Sequence, residues 1–141
     1  MGIKSVNAGN RAQDIFKKHV EKRRAFVHRL PDPGDLPMIQ GQRPKLPPQP
    51  ADFVVCVGGV MFYAEVKSSA NKTTFPFRMI RDSQRAAAKE CVRTKCPYFF
   101  YVYSAYNDLW YCIPAKFILD RIAKDLKSAP WKDFDKFVIN M

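Results

Sequence analysis

Three charged residues bracket an apolar stretch in this chain. Asp52 stands at one end of "DFVVCVGGVMFYAEVK" and Glu65 and Lys67 at the other, with twelve residues between the two acids. Carboxylate oxygens suit hard divalent cations such as Mg²⁺ or Mn²⁺. A lysine beside such a cation can orient or deprotonate a water, or stabilise negative charge as it develops. A cation, a lysine and a basic surface together fit phosphodiester hydrolysis. That chemistry requires the two acids, distant in the chain, to meet in space.

The intervening residues supply a way. Gly58-Gly59 is a strong two-residue turn signal, because both positions tolerate positive φ. With those glycines as the loop, Val57 faces Val60, and the same register carried outward sets Asp52 opposite Glu65. Directly opposed residues share a sheet face with Cβ atoms roughly 5 Å apart. Lys67, two residues on, joins that face, while Val66 points the other way into the core. Two carboxylates so close repel, which raises one pKa unless a cation lies between them. The competing reading is an ordinary Asp-Lys-Glu salt-bridge cluster at a hairpin end.

Composition bears on the target of such chemistry. The 141-residue chain carries 24 Lys and Arg against 13 Asp and Glu, a net charge of +11. Nucleic acid is the commonest partner of so basic a small chain. A solubilising charge excess, an acidic protein and a membrane surface are the alternatives. With 47% hydrophobic residues, the chain has enough for a real core and suits one compact domain spanning 1–141. It contains no apolar run of about 18 residues and no signal-peptide pattern, so an intracellular protein is expected. The four cysteines form no C-x-x-C pair, which argues against structural zinc, and Cys56 and Cys112 read as small buried hydrophobes.

The remaining elements must hold the hairpin. A helix is predicted from about Ala8 to Arg24, capped by Asn7, with Ala12, Phe16 and Val20 facing the core. Ala25–Leu30 reads as a short strand. Pro31–Pro50 holds seven prolines and two glycines, so it is a connection, either a plain surface loop or a basic arm presenting Arg43 and Lys45. A second helix is predicted over Asp82–Thr94, with Gln84, Ala87, Ala88, Cys91 and Val92 inward. Its Arg81, Arg85, Lys89 and Arg93 recur every four residues as a basic stripe, suited to a phosphate backbone or simply solvated. Strands follow at Tyr98–Ala105 and Leu109–Ala115, then a helix over Pro114–Leu126 with Phe117, Ile118, Ile122 and Leu126 inward. The tail adds a final strand or an irregular cap. The order α β β β α β β α implies an α/β fold, a sheet with helices on its faces.

Asp52, the twelve-residue gap and Glu65-Val66-Lys67 resemble the PD-(D/E)XK nuclease signature, with "PAD" for "PD". The wider context, "NAGNRAQDIF", "AFVHRLPDP", "PADF", "EVKSS", "NKTTFPF" and "DSQ", follows the order found in RecU-type Holliday junction resolvases and is similar also to the archaeal and phage resolvases. The resemblance runs from about Asn7 to Pro114. It implies a restriction-endonuclease-like mixed sheet and a homodimer that cuts two strands of a four-way DNA junction symmetrically, using Mg²⁺ or Mn²⁺. It makes Asp52 and Glu65 metal ligands together with the backbone carbonyl of Val66, and Lys67 the water-activating or transition-state residue. Ser68 and Ser69 would help to position the phosphate. The DNA-contacting set expected on this basis is Arg43, Lys45, Ser68, Lys72, Thr73, Arg78, Arg81, Arg85 and Lys89.

One departure stands out. Relatives commonly carry a Glu in the first helix about four residues after a Gly, and here Gly9 is followed at that spacing by Gln13. Asp14 is adjacent but points about 100° away on a helix. Gln13 is therefore the expected fourth member, reaching the metal through water, or else a buried amide bonded to backbone. The Pro-rich segment sits where RecU-type proteins carry a stalk that enters the junction centre, and reads as a reduced arm. Gln84 lies near the hairpin, where similar nucleases often have a Gln, or is a core polar residue. His28 suits a structural or phosphate-contacting role. Two alternatives remain: a same-fold nuclease acting on other DNA, of repair or restriction type, and a non-catalytic DNA-binding module.

Overall fold

A computed structural model describes residues 5–32 and 35–141, with side chains from residue 8 onward. Helix α1 spans Ser5–Glu21. Strand β1 (Phe26–Arg29) and β2 (Phe53–Val57) precede the long β3 (Val60–Ser69) and the short β4 (Thr74–Pro76). Helix α2 (Asp82–Arg93) leads to β5 (Tyr98–Ser104), β6 (Leu109–Pro114) and helix α3 (Ala115–Ala123), and β7 (Ser128–Pro130) and β8 (Val138–Ile139) complete the chain. The expected order of helices and strands is present, with three short strands added. Among the described residues, no helix is long and apolar enough to cross a membrane.

Six strands form one mixed sheet in the order β1-β2-β3-β5-β6-β8, and β4 pairs with β7 apart from it. Among the described strands only β3 and β5 run parallel, because α2 carries the chain back between them; the other pairings of the sheet are antiparallel. The helices divide between the faces. Ala12, Phe16 and Val20, at helical spacing on α1, pack on Phe53, Val55, Ala64, Val66 and Tyr101. Ala88 and Cys91 of α2 and Ala115 and Ile118 of α3 pack on the opposite face with Tyr98, Phe100, Val102, Tyr111 and Ile113. Trp131 and Phe134, in the 3-10 stretch Trp131–Phe137, close that second core.

The hairpin register is as expected. Val57 pairs with Val60 and Phe53 with Ala64, and Gly58 and Gly59 both have positive φ, 57° and 81°. The next step outward faces Asp52 with Glu65. Val66 is buried on the α1 side, so Glu65 and Lys67 lie on the α2 side.

The ends of α2 agree with expectation to within a residue, whereas those of α1 and α3 depart from it. Each helix closes with the paired backbone bonds of a Schellman motif around a non-glycine residue of positive φ: Arg24 (57°), Lys95 (61°) and Asp125 (61°). No glycine signals these stops. Helix α1 thus ends its regular turns at Glu21, and it begins at Ser5, ahead of the expected Asn7 cap, whose side chain lies outside the described residues. Helix α3 ends at Ala123, not Leu126, and Leu126 is 48% exposed instead of inward. Among the cysteines, Cys91 is the buried one, while Cys56 and Cys112 are half-buried; all four are free thiols.

The proline-rich connection is more ordered than its composition suggests. The Leu30 N–H donates to the Asp52 carbonyl at 2.8 Å, which ties its two ends together. Ile39 and Gln42 bridge across a tight turn at Gln40-Gly41, both of positive φ. Arg43 and Lys45 are exposed. Pro33 and Gly34 of this segment lie outside the described residues.

Candidate active site

Asp52 sits immediately before β2, and its Oδ2 accepts the Val66 N–H at 2.9 Å. This bond fixes the aspartate against β3, at the strand position between Glu65 and Lys67. Glu65 is only 2% exposed, an exceptional place for an acid. Its Oε1 accepts from Gln84 Nε2 at 2.8 Å and from Lys67 Nζ at 3.0 Å. Its Oε2 is buried and has no hydrogen-bond partner among the described residues. Lys67 Nζ also donates to Gln84 Oε1 at 3.1 Å, and the same oxygen accepts the Arg81 N–H at 3.0 Å. One amide therefore ties the first turn of α2 to both the acid and the lysine of β3.

The electrostatics follow from burial. Desolvation pushes Glu65 up to about 8, helped by the Asp52 charge beside it and opposed by Lys67. Asp52 is also raised, again chiefly by burial, while its bond from Val66 and the Lys67 charge pull it back. Of the two acids, Glu65 is the one pushed furthest toward holding its proton. Tyr98 closes the floor: its hydroxyl donates to the Pro50 carbonyl at 2.5 Å, and burial with both carboxylates nearby drives its own titration upward.

Two desolvated carboxyl groups crowded together, with one Glu65 oxygen that has no hydrogen-bond partner among the described residues, are what a cation would relieve. Asp52 and Glu65 are the side chains that could hold a divalent ion, with the Val66 carbonyl and waters as further oxygen ligands. Among the described residues no group of three or more His, Cys, Asp or Glu gathers, so the acidic set stops at these two. With Lys67 Nζ 3.0 Å from the acid, the arrangement can orient a water and stabilise an oxyanion.

The fold brings Asp52, Glu65, Val66 and Lys67 together, and Gln84 with them. Gln13 is half-buried on α1, whose packing face meets the Val66 side of the sheet. Among the described residues no hydrogen bond links it to Asp52, Glu65 or Lys67. Asp14 is exposed. Ser68 shares the strand parity of Val66 and so lies on the other face from Lys67. Ser69 is buried, and its Oγ accepts the Asn71 N–H at 3.2 Å.

The outer basic residues divide as well. Arg78, Arg81, Lys72 and Lys89 are exposed, as is Thr73, whose N–H donates to Asn71 Oδ1 at 3.1 Å. Arg85 breaks the expected stripe. Its guanidinium turns inward and donates to the carbonyls of Phe77 at 2.6 Å and Ile80 at 3.1 Å, so it latches α2 to the turn before it. Arg93 pairs with Glu90 at 2.7 Å. His28 is exposed on the edge strand β1. Sequence reasoning missed Tyr98, since an aromatic in a strand carries no mark of a hydroxyl tether.

No protein-family model and no curated protein matches the chain. Solved structures do. The chain is similar to Hjc, a Holliday junction resolvase from the archaeal hyperthermophile Archaeoglobus fulgidus, with a TM-score of 0.52 and 13% identity over 77% of this chain and 78% of that one. It is also similar to the bacterial homing endonuclease I-Ssp6803I, with a TM-score of 0.49 and 17% identity over 84% of this chain and 70% of that one. At this identity the likeness to Hjc is one of fold, a mixed sheet flanked by helices, which agrees with the expected class.

Proposed function

We propose that this chain is a metal-dependent endonuclease that cuts four-way DNA junctions in pairs of symmetric nicks. The observation that carries the reading is the buried Asp52–Glu65–Lys67 cluster, whose Glu65 Oε2 has no partner among the described residues, on a chain of net charge +11. A salt bridge alone would not bury a second acid beside the first, since desolvation without a partner destabilises the fold. A non-catalytic DNA-binding module has no use for that strain. The fold shared with an archaeal Holliday junction resolvase supports the choice of substrate.

A bound Mg²⁺ or Mn²⁺ would polarise the scissile phosphate and lower the pKa of a coordinated water. Asp52 and Glu65, with the Val66 carbonyl, would hold the cation. The Val66 N–H keeps Asp52 from rotating away. Lys67, whose ammonium lies 3.0 Å from Glu65, would orient the attacking water and offset charge building on phosphate oxygen. Gln84 orients both groups. Exposed Arg43, Lys45, Lys72, Arg78, Arg81 and Lys89 bind phosphates outside the centre. Paired incision across a two-fold junction calls for a homodimer.

The test is cleavage of a four-way junction, a linear duplex and a single strand, each with Mg²⁺ and with Mn²⁺. Paired nicks confined to the junction are expected. Equal cutting of the duplex would replace junction selectivity with a general nuclease, and tight binding without cutting in either metal would remove the catalytic reading.

A further inference from the structure

A cavity lies between the turn that leads into α2 and the segment that follows α3. It is a half-open cleft of about 600 Å³, a size that suits a small ligand. Arg78, Arg85 and Lys127 line it with positive charge, and Asp125 is the one carboxylate there among the described residues. Ile122 and the exposed Leu126 form an aliphatic wall. The floor is rigid: the Phe77 N–H donates to the Lys127 carbonyl at 2.9 Å, and Arg85 grips the Phe77 carbonyl.

Two of the lining residues connect this cleft to the carboxylate site. Arg85 follows Gln84, which holds Glu65 and Lys67. Asn71 donates its N–H to the hydroxyl of Ser69, the last residue of the strand that carries Glu65 and Lys67. The cleft and the carboxylate site thus share α2 and the chain at the end of β3.

We infer that this cleft binds one nucleotide unit of a DNA strand, next to the cut position. The phosphate lies on Arg78 and Lys127, whose head groups, among the described residues, are not spent on carbonyls as that of Arg85 is. The base rests on Ile122 and Leu126, and its N–H groups face Asp125. Guanine, with two adjacent N–H donors on one edge, suits a carboxylate best. The exposed Leu126, unexplained by the helix it follows, thereby gains a partner. The assignment to a DNA strand rests on the nuclease reading, whereas binding of the nucleotide does not.

The test is calorimetry of the full chain in EDTA with 2′-deoxyguanosine 5′-monophosphate, deoxyguanosine, inorganic phosphate and a 5′-phosphorylated trinucleotide beginning with G. The monophosphate is expected to bind at least about tenfold more tightly than phosphate or nucleoside alone, and the trinucleotide more tightly still. The double variant Arg78→Ala, Lys127→Ala, which alters two exposed side chains, should lose about tenfold. Equal binding of monophosphate and phosphate, or an unchanged double variant, would overturn the site. A mononucleotide as tight as the trinucleotide would overturn its assignment to a strand. None of these readouts needs cleavage, so the cleft can fail while the nuclease reading stands, and the reverse.

Discussion

Gln84 Nε2 donates to Glu65 Oε1 at 2.8 Å while the other end of the same amide accepts from Lys67. The acid and the lysine of β3 are thus held by a residue of α2, and the first turn of that helix is held in return through the Arg81 N–H. Replacing Gln84 with Leu removes all three bonds and leaves buried partners unsatisfied. Destabilisation of about 2–4 kcal/mol is expected by denaturant titration. Gln84→Glu keeps the shape but not the donor, so it should cut more slowly than wild type while folding better than the Leu variant.

The pH dependence of stability follows from Glu65. Its ordinary value is 4.5, and the fold raises it to about 8. Between those values the folded chain holds a proton that the unfolded chain has released, so stability falls as pH rises across that window. The loss is on the order of a few kcal/mol in metal-free protein. The melting temperature in EDTA should therefore drop from pH 5 to pH 8, and Glu65→Gln should flatten the drop. Added Mn²⁺ should raise the melting temperature more at pH 8 than at pH 5.

Tyr98→Phe isolates the tether to Pro50. About 1 kcal/mol of stability should go with the bond. Because Pro50 lies just two residues before Asp52, nicking should slow severalfold with junction affinity unchanged, as measured by single-turnover cleavage beside anisotropy titration.

The basic residues of α2 should separate by role. Arg81→Ala and Lys89→Ala each remove one exposed charge, so each should lower the slope of log affinity against log salt by about 1. Arg85→Ala instead frees the carbonyls of Phe77 and Ile80, and its main effect should be a lower melting temperature.

How much of this was legible depends on where the signal lay. The Gly58-Gly59 turn has few alternatives, so the register that faces Asp52 with Glu65 could be counted from it. The apolar spacing located all three helices, and the ends of α2 were read to within a residue. The stops of α1 and α3 could not be read, because Arg24 and Asp125 adopt the left-handed conformation that sequence reserves for glycine. Gln13 follows from a helical stripe, yet the stripe meets the Val66 face, which only the assembled sheet reveals. Arg85 shows the same limit, since spacing gives a residue's direction on a helix but not the carbonyls waiting there.

The central claim is that Asp52 and Glu65 form the hydrolytic centre. Asp52→Asn tests it most directly, in junction cleavage with Mg²⁺ and junction binding with Ca²⁺. Asparagine keeps the size and can still accept the Val66 N–H, so the fold should persist. Cleavage should fall at least about 100-fold while binding stays within about twofold, since affinity comes from Lys and Arg on phosphates. Cleavage at the wild-type rate by this variant would contradict the account.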